Sequence, residues 1–114
     1  MQLEEFLKSS LRNSWLEYPY MRVYVRRSYR QFAGMRVGRN MEPNCLDIAN
    51  IEVRESHWRR GICKAFLQRA EDINTLNGIY IESVINENLH KFLLSVGYNS
   101  VGFEEINFYK TTKK

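Results

Sequence analysis

The sequence predicts a mixed α/β fold, with one sheet holding both parallel and antiparallel strands and the element order α-β-β-β-α-β-α-β-β. Three observations carry this. Met21, Val23 and Val25 alternate with Arg22, Tyr24 and Arg26, the period of a half-buried strand. Ile62, Ala65, Phe66, Ala70 and Ile73, and then Leu89, Phe92, Leu93 and Val96, recur at the spacing of a helix face. Between those two helices lies a short apolar run, residues 79–85, so a β-α-β crossover follows, which is right-handed and parallel. The pattern is a mixed layer and not a repeating doubly wound sheet. The 114 residues are one domain's length, and residues 1–114 read as a single domain.

The elements follow in order. Leu3, Phe6, Leu7, Leu11 and Trp15 share a helical face, with Glu4 and Glu5 at the favourable N-terminal end. The predicted helix ends at Glu17-Tyr18, because a residue before proline avoids the helical region. A strand follows from Tyr20, a turn near Arg27-Ser28, and a second strand over residues 29–37. Turn residues at Gly38-Arg39-Asn40 and Pro43-Asn44 lead into a third strand, residues 46–53. A charged loop precedes the helix that starts near Ile62, and Asn77-Gly78 is its expected stop. After the strand at residues 79–85, Asn86 caps the last helix, and Gly97 ends it in a left-handed conformation. Two final strands occupy residues 99–109, with a turn at Glu104-Glu105.

Composition narrows the function. Apolar residues are 44% and charged residues 26%, which argues against disorder. No apolar run reaches the roughly 18 residues of a membrane span, and the N-terminus lacks the basic and apolar regions of a leader, so the expected compartment is the cytoplasm and no membrane partner is expected. Two cysteines and two histidines make neither a disulfide framework nor a zinc site, so no metal is expected. The net charge of +4 is concentrated: Arg22, Arg26, Arg27, Arg30, Arg36 and Arg39 lie between Tyr18 and Arg39 with no acid among them. That stretch, interleaved with Tyr20, Tyr24 and Tyr29, reads either as a surface for nucleic acid or an acidic protein, or as a solvated strand face.

The segment with most chemical content runs from Ala49 to Gln68. A strand feeding a helix through a charged loop leaves backbone N–H groups at the helix start, where the dipole favours an anion. Gly61 lets the backbone approach a phosphate, and Arg54, Arg59, Arg60 and Lys64 add positive charge. Cys63 at that helix start reads as a reactive thiol or as a small packing residue.

These residues carry a resemblance. The stretch Ile51-Glu52-Val53-Arg54-Glu55-Ser56-His57-Trp58-Arg59-Arg60-Gly61-Ile62-Cys63-Lys64 resembles the acetyl-coenzyme-A-binding segment of the GNAT superfamily of N-acetyltransferases. There a strand ending in Val is followed by Arg/Gln-x-x-Gly-x-Gly/Ala opening a helix, and Val53 and Gly61 have the family's separation. Asn86 through Gly97-Tyr98 is similar to the later family signature of Asn, helix and Gly-Phe. The sequence departs from the family at three places. Trp58 stands for the leading Arg or Gln, Cys63 for the second Gly or Ala, and Leu93 for the Tyr that commonly protonates the departing thiolate.

The resemblance implies a three-layer fold with a splayed central sheet, acetyl-CoA as co-substrate, and acetyl transfer to a primary amine by direct attack. The amine belongs to a small molecule, a peptide or a protein. It places the pantetheine arm along Ile51 to Val53, and the diphosphate on the amides of Arg59, Arg60, Gly61, Ile62, Cys63 and Lys64, with Asn86 also expected at the cofactor. The amine must lose a proton, so a base is needed near the strand. Glu52, Asp47 and Glu82 are the candidates. Asp47 and Glu52 fall on opposite faces of a regular strand, and Glu52 is preferred because it lies beside the thioester. Tyr98, Tyr80 or Tyr109 is the candidate acid. The alternative is an inactive scaffold of the same fold that binds nucleic acid or an acidic protein surface.

Overall fold

The computed structural model describes residues 1–30, 43–55, 61–102, 104 and 106–112. Its elements are α1 (Leu3–Lys8), β1 (Asn13–Tyr18), β2 (Met21–Ser28), β3 (Cys45–Val53), α2 (Ile62–Ile73), β4 (Gly78–Ile81), α3 (Glu87–Ser95), β5 (Asn99–Val101) and β6 (Asn107–Thr111). The sheet order is β1-β2-β3-β4-β6-β5. Only β3 and β4 pair in parallel, joined by the crossover through α2.

The order of element types is the expected one, but two of the first three strands are filled differently. The N-terminal helix stops at Lys8, not near Glu17. Ser9 donates its hydroxyl to the Phe6 carbonyl (2.7 Å) and accepts from the Leu11 N–H (3.2 Å), a local side-chain alternative to another helical turn. Arg27 then takes the carbonyls of Phe6, Leu7 and Ser9 from the facing strand, satisfying the helix end. Released from the helix, Asn13–Tyr18 pairs with β2 as the edge strand. Trp15 leaves the supposed helix face and lies beside Tyr24, with the Arg22 guanidinium 3.8 Å over its ring. The strand expected at 29–37 lies outside the described residues apart from Tyr29 and Arg30, which are not in a strand; β2 pairs directly with β3.

The alternation in β2 holds. Met21, Val23 and Val25 are buried, and Arg27 shares their face. Leu46, Ile48, Ile51 and Val53 of β3 stand opposite that face, followed by Ile79 and Ile81 of β4 and then Phe108 and Lys110 of β6. All three helices pack here: Leu3 and Phe6 from α1, Phe66, Leu67 and Ala70 from α2, and Leu93 from α3 join one core. In α2 the buried positions include Leu67, while Ala65, expected inside, is exposed. The helix ends at Ile73, before the expected Asn77-Gly78, because the Asn74 amide turns back to the Leu76 and Gly78 carbonyls. Asn86 caps α3 by accepting from the Leu89 N–H (2.9 Å), and Gly97 at φ 96° ends it, both as expected. Among the described residues, sheet and helices make two layers. The opposite sheet face carries Cys45 and Tyr80 packed with Val101 and Tyr109, and a set of charged side chains.

Candidate active site

Two irregularities in neighbouring strands create a gap. In β3 the register with β2 jumps from Val25↔Ile48 to Tyr24↔Asn50, so Ala49 is an extra residue, a β-bulge that bends the strand. In β4 the ladder with β3 runs from Cys45↔Gly78 to Ile48↔Ile81 and closes with the Glu82 N–H donating to the Ile48 carbonyl (3.1 Å). The chain then turns away. Ser83 has a left-handed φ of 55°, its N–H donates to the Asn107 side chain (2.8 Å), and the Val84 N–H donates to the Ile106 carbonyl (2.7 Å). Beyond Ile48, β3 therefore continues to Val53 with no β4 ladder beside it. This is the splay expected of the sheet.

The start of α2 follows the end of that run. Gly61 adopts φ 72°, a conformation that disfavours any side chain, and as the N-cap it has no side chain of its own to cap the helix. Among the described residues an added Cβ at Gly61 would meet nothing within 4 Å, so toward them the glycine serves the backbone turn and not a tight contact. The first amides of α2, those of Ile62, Cys63 and Lys64, precede the first intrahelical bond, which runs from the Ala65 N–H to the Gly61 carbonyl. A helix start at a Gly turn with the exposed Lys64 can take a diphosphate, and the parting of β3 from β4 can take an extended arm. Arg59, Arg60 and Trp58 lie outside the described residues.

The proposed site residues that are described have these places. Ile51 and Val53 pack against the core with their side chains. Ile62 and Cys63 also pack inward, and burial pushes the Cys63 thiol up to about 11, with Lys64 opposing. Cys63 is thus the small packing residue of the two readings, because a thiol held protonated is a weak nucleophile. Lys64 reaches over the Phe92 ring at 5.1 Å, tying α2 to α3. Asn86 is occupied as a helix cap.

The carboxylates are arranged differently from a regular strand. The bulge at Ala49 reverses the alternation, so Asp47 and Glu52 point to the same face, opposite Arg26 and Arg22 respectively. Asp47 is fully buried. It accepts from the Ser28 hydroxyl (2.7 Å) and from Arg30 through Nε (3.0 Å) and Nη2 (2.8 Å), with the Arg26 Nε at 3.4 Å. Glu82 joins Arg26 through Oε2, and Arg30 stands 3.9 Å away. The hydrogen bond to Asp47 and its charge raise the pKa of Arg30, whose guanidinium also lies 3.7 Å over the Tyr80 ring. For Arg26, burial works against the charged form, but the Glu82 and Asp47 contacts outweigh it and raise the pKa. Glu52 is the exposed one: its contacts are Arg22 at 3.8 Å and the Asn50 amide at 3.4 Å. Beside it a depression of about 190 Å³ is lined by Glu17, Tyr18, Arg22, Glu52, Val53 and Arg54.

The structure does not bring Tyr98 to Glu52. Tyr98 is buried on the helix-covered face, with the Lys110 ammonium 5.4 Å over its ring, and Lys110 stands opposite Ile79, level with Leu46 at the far end of β3. Its hydroxyl has no hydrogen-bond partner among the described residues, and burial raises its pKa. It is placed as a core side chain and not as the acid beside the gap. Leu93, at the position where the resemblance expects a tyrosine, is fully buried in the core. The linked set of Arg26, Arg30, Asp47 and Glu82 escaped the sequence reading. Arg26 opposite Asp47 becomes visible only once strand register is known.

The basic stretch is also reassigned in part. Of its six arginines, the four described are all engaged: Arg22 with Glu17, Glu52 and Trp15, Arg26 and Arg30 with Asp47 and Glu82, and Arg27 with the end of α1. Arg36 and Arg39 lie outside the described residues. Among those residues no group of His, Cys, Asp and Glu could hold a metal ion, and no helix is long and apolar enough to cross a membrane.

Comparison with known proteins agrees with this geometry. The profile of the acetyltransferase (GNAT) family matches residues 2–98. No curated protein sequence matches the chain. Among solved structures, the chain is similar to an acetyltransferase from Thermus thermophilus, with 15% identity and a TM-score of 0.63 over 94% of this chain and 69% of that one. It is also similar to a mutant of the toxin AtaT bound to the C-terminus of the antitoxin AtaR and acetyl-CoA (17% identity, TM-score 0.58, 82% of this chain). AtaT complexed with acetyl-methionyl-tRNAfMet matches at 15% identity and TM-score 0.58, over 85% of this chain and 67% of that one. The chain spans 59% of the antitoxin-bound AtaT chain.

Proposed function

The chain belongs to the acetyltransferase (GNAT) family, and from that premise we propose that it moves an acetyl group from acetyl-CoA to a primary amine. The observation that carries the reading is the parting of β3 from β4 after Ile48 and Ile81, with α2 the next element after β3 and Gly61 at its start. The backbone of β3 past Ile48, at Ile51, holds the pantetheine arm in the manner of an added strand. The amides of Ile62, Cys63 and Lys64, behind Gly61 and with Arg59 and Arg60 preceding them in sequence, hold the diphosphate.

Glu52 takes the proton from the incoming ammonium. It is the exposed carboxylate of the three candidates, on the β3 run past the ladder, whereas Asp47 and Glu82 are held by arginines. The free amine nitrogen then forms a bond to the thioester carbon, the carbon–sulfur bond breaks, and the departing thiolate takes the second proton from the new amide nitrogen to leave as thiol. A thiol with a pKa near ~8.5 is an adequate leaving group without a dedicated acid, which suits a site lacking a tyrosine at Leu93. Holding amine and thioester together supplies much of the acceleration.

The test is calorimetric titration with acetyl-CoA, followed by a screen of amines for release of free thiol. Small amines, peptides, proteins and an aminoacyl-nucleic acid belong in the screen, the last because AtaT has been solved with acetyl-methionyl-tRNAfMet. Saturable binding and amine-dependent thiol release support the reading. A folded protein with no binding at millimolar acetyl-CoA rejects it in favour of a binding scaffold.

A further inference from the structure

Three features fix the point at which β3 and β4 separate. Two are backbone features, the bulge at Ala49 and the left-handed Ser83. The third is ionic and lies across the gap. Arg26 of β2 stands opposite Asp47 of β3, and Asp47 stands opposite Tyr80 of β4. Glu82, two residues on, makes the last backbone rung to Ile48. One guanidinium thus touches both strands at the parting, with Nε toward Asp47 at 3.4 Å and Nη2 on the Glu82 carboxylate.

The two ends of this clasp differ. Asp47 is fully buried and keeps Ser28 and both donors of Arg30 if Arg26 is removed. Glu82 is partly exposed, and among the described residues its other cation is Arg30 at 3.9 Å. Losing Arg26 therefore leaves the β4 side of the parting on this longer contact while β3 stays anchored.

We propose that Arg26 is a positioning residue for the co-substrate arm: by clasping Glu82 to Asp47 it sets where the slot begins and how wide it is. The role rests on the acetyl-CoA reading above. It acts on the arm and not on the phosphates, because the clasp lies at the β3–β4 parting while the phosphate amides belong to α2.

The experiment compares coenzyme A with ADP, which carries a diphosphate but no thiol-bearing arm. Both are titrated into the wild type, Arg26→Met, Arg26→Lys and Glu82→Gln, and amide exchange is followed at Glu82 and Ile79. Arg26→Met is expected to weaken coenzyme A about tenfold and leave ADP unchanged. Arg26→Lys should restore part of the loss, since it keeps the charge but not the two-pronged reach. Glu82→Gln breaks the clasp from its other end, spares Asp47, and should reproduce the pattern if the Met variant folds poorly. Exchange at Glu82 should speed while Ile79 stays protected. Equal weakening of both ligands, no weakening of either, or unchanged exchange at Glu82 overturns the role. A wild type that binds neither ligand removes the acetyl-CoA reading and this role with it, and the exchange data alone then report whether the clasp ties the strands.

Discussion

Asp47 and Glu52 point to the same face of the sheet although an odd number of positions separates them in β3. Arg26 and Arg22, four apart on β2, stand opposite them, and the extra residue Ala49 absorbs the mismatch. Deleting Ala49 leaves Ile51 and Val53 on the core face, because Asn50 then follows Ile48 directly and Ile51 still stands opposite Val23. What the deletion removes is the bend in β3. The variant is expected to keep its urea denaturation midpoint and to bind coenzyme A more weakly. A large loss of stability, or unchanged coenzyme A affinity, would mean that the bulge does not serve the parting of the strands.

Asp47 is the centre of the charged set on the sheet face opposite the helices. Asp47→Ala leaves the Arg30 guanidinium without its carboxylate, and breaking a buried pair from one side costs about 3–5 kcal/mol. The change is read as a shift in the denaturation midpoint. Arg30→Met in the same background should then cost little more, because the stranded charge is gone.

Glu52→Gln tests the proposed proton acceptor. The rate of amine-dependent thiol release at saturating acetyl-CoA should fall by roughly 10²–10⁴ with acetyl-CoA affinity unchanged. A rate within a factor of about two of wild type removes Glu52 from the mechanism.

Gly61→Ala separates conformation from crowding. No atom of the described residues stands in the way of the added Cβ, so the expected cost is that of a left-handed residue, about 1–2 kcal/mol of stability. Coenzyme A affinity should fall too, because the turn aims the first amides of α2. Wild-type stability in this variant contradicts the left-handed turn.

The thiols predict an alkaline limit. Burial raises Cys63 to about 11 and Cys45 to about 12. Below the unfolded value near ~8.5 both states hold the proton, and the thiols make no difference. Above it the unfolded chain ionises first, so stability falls as pH rises from there toward the folded values, by up to ~1.4 kcal/mol per pH unit for each thiol. Thermal melts between about pH 8 and pH 11 should decline less steeply in Cys63→Ala than in wild type, with parallel curves ruling out the linkage. Iodoacetamide should label neither thiol of the native protein rapidly at about pH 8, and fast labelling of Cys63 would restore the reactive reading.

Much of the architecture was legible because it depends on local periodicity. The alternation of Met21, Val23 and Val25, the stripe of Leu89, Phe92, Leu93 and Val96, the cap at Asn86 and the stop at Gly97 are all short-range patterns. The N-terminal error is instructive in the same terms. Leu3, Phe6, Leu7, Leu11 and Trp15 do have helical spacing, yet the helix ends at Lys8 because Arg27, far along the chain, takes its last carbonyls and β2 offers Asn13–Tyr18 a ladder.

The sequence by itself determined the mixed α/β class, the parallel crossover, the helix start behind Gly61 and the family likeness, since each is written in residues close together along the chain. Tertiary structure decided which side chains meet: that Asp47 and Glu52 share a face, that Arg26 spans Asp47 and Glu82, and that Tyr98 is sealed in the core away from the gap. A bulge of one residue reverses every later side chain in a strand, and an ion pair between distant strands depends on register. Both are set by how the strands align against one another.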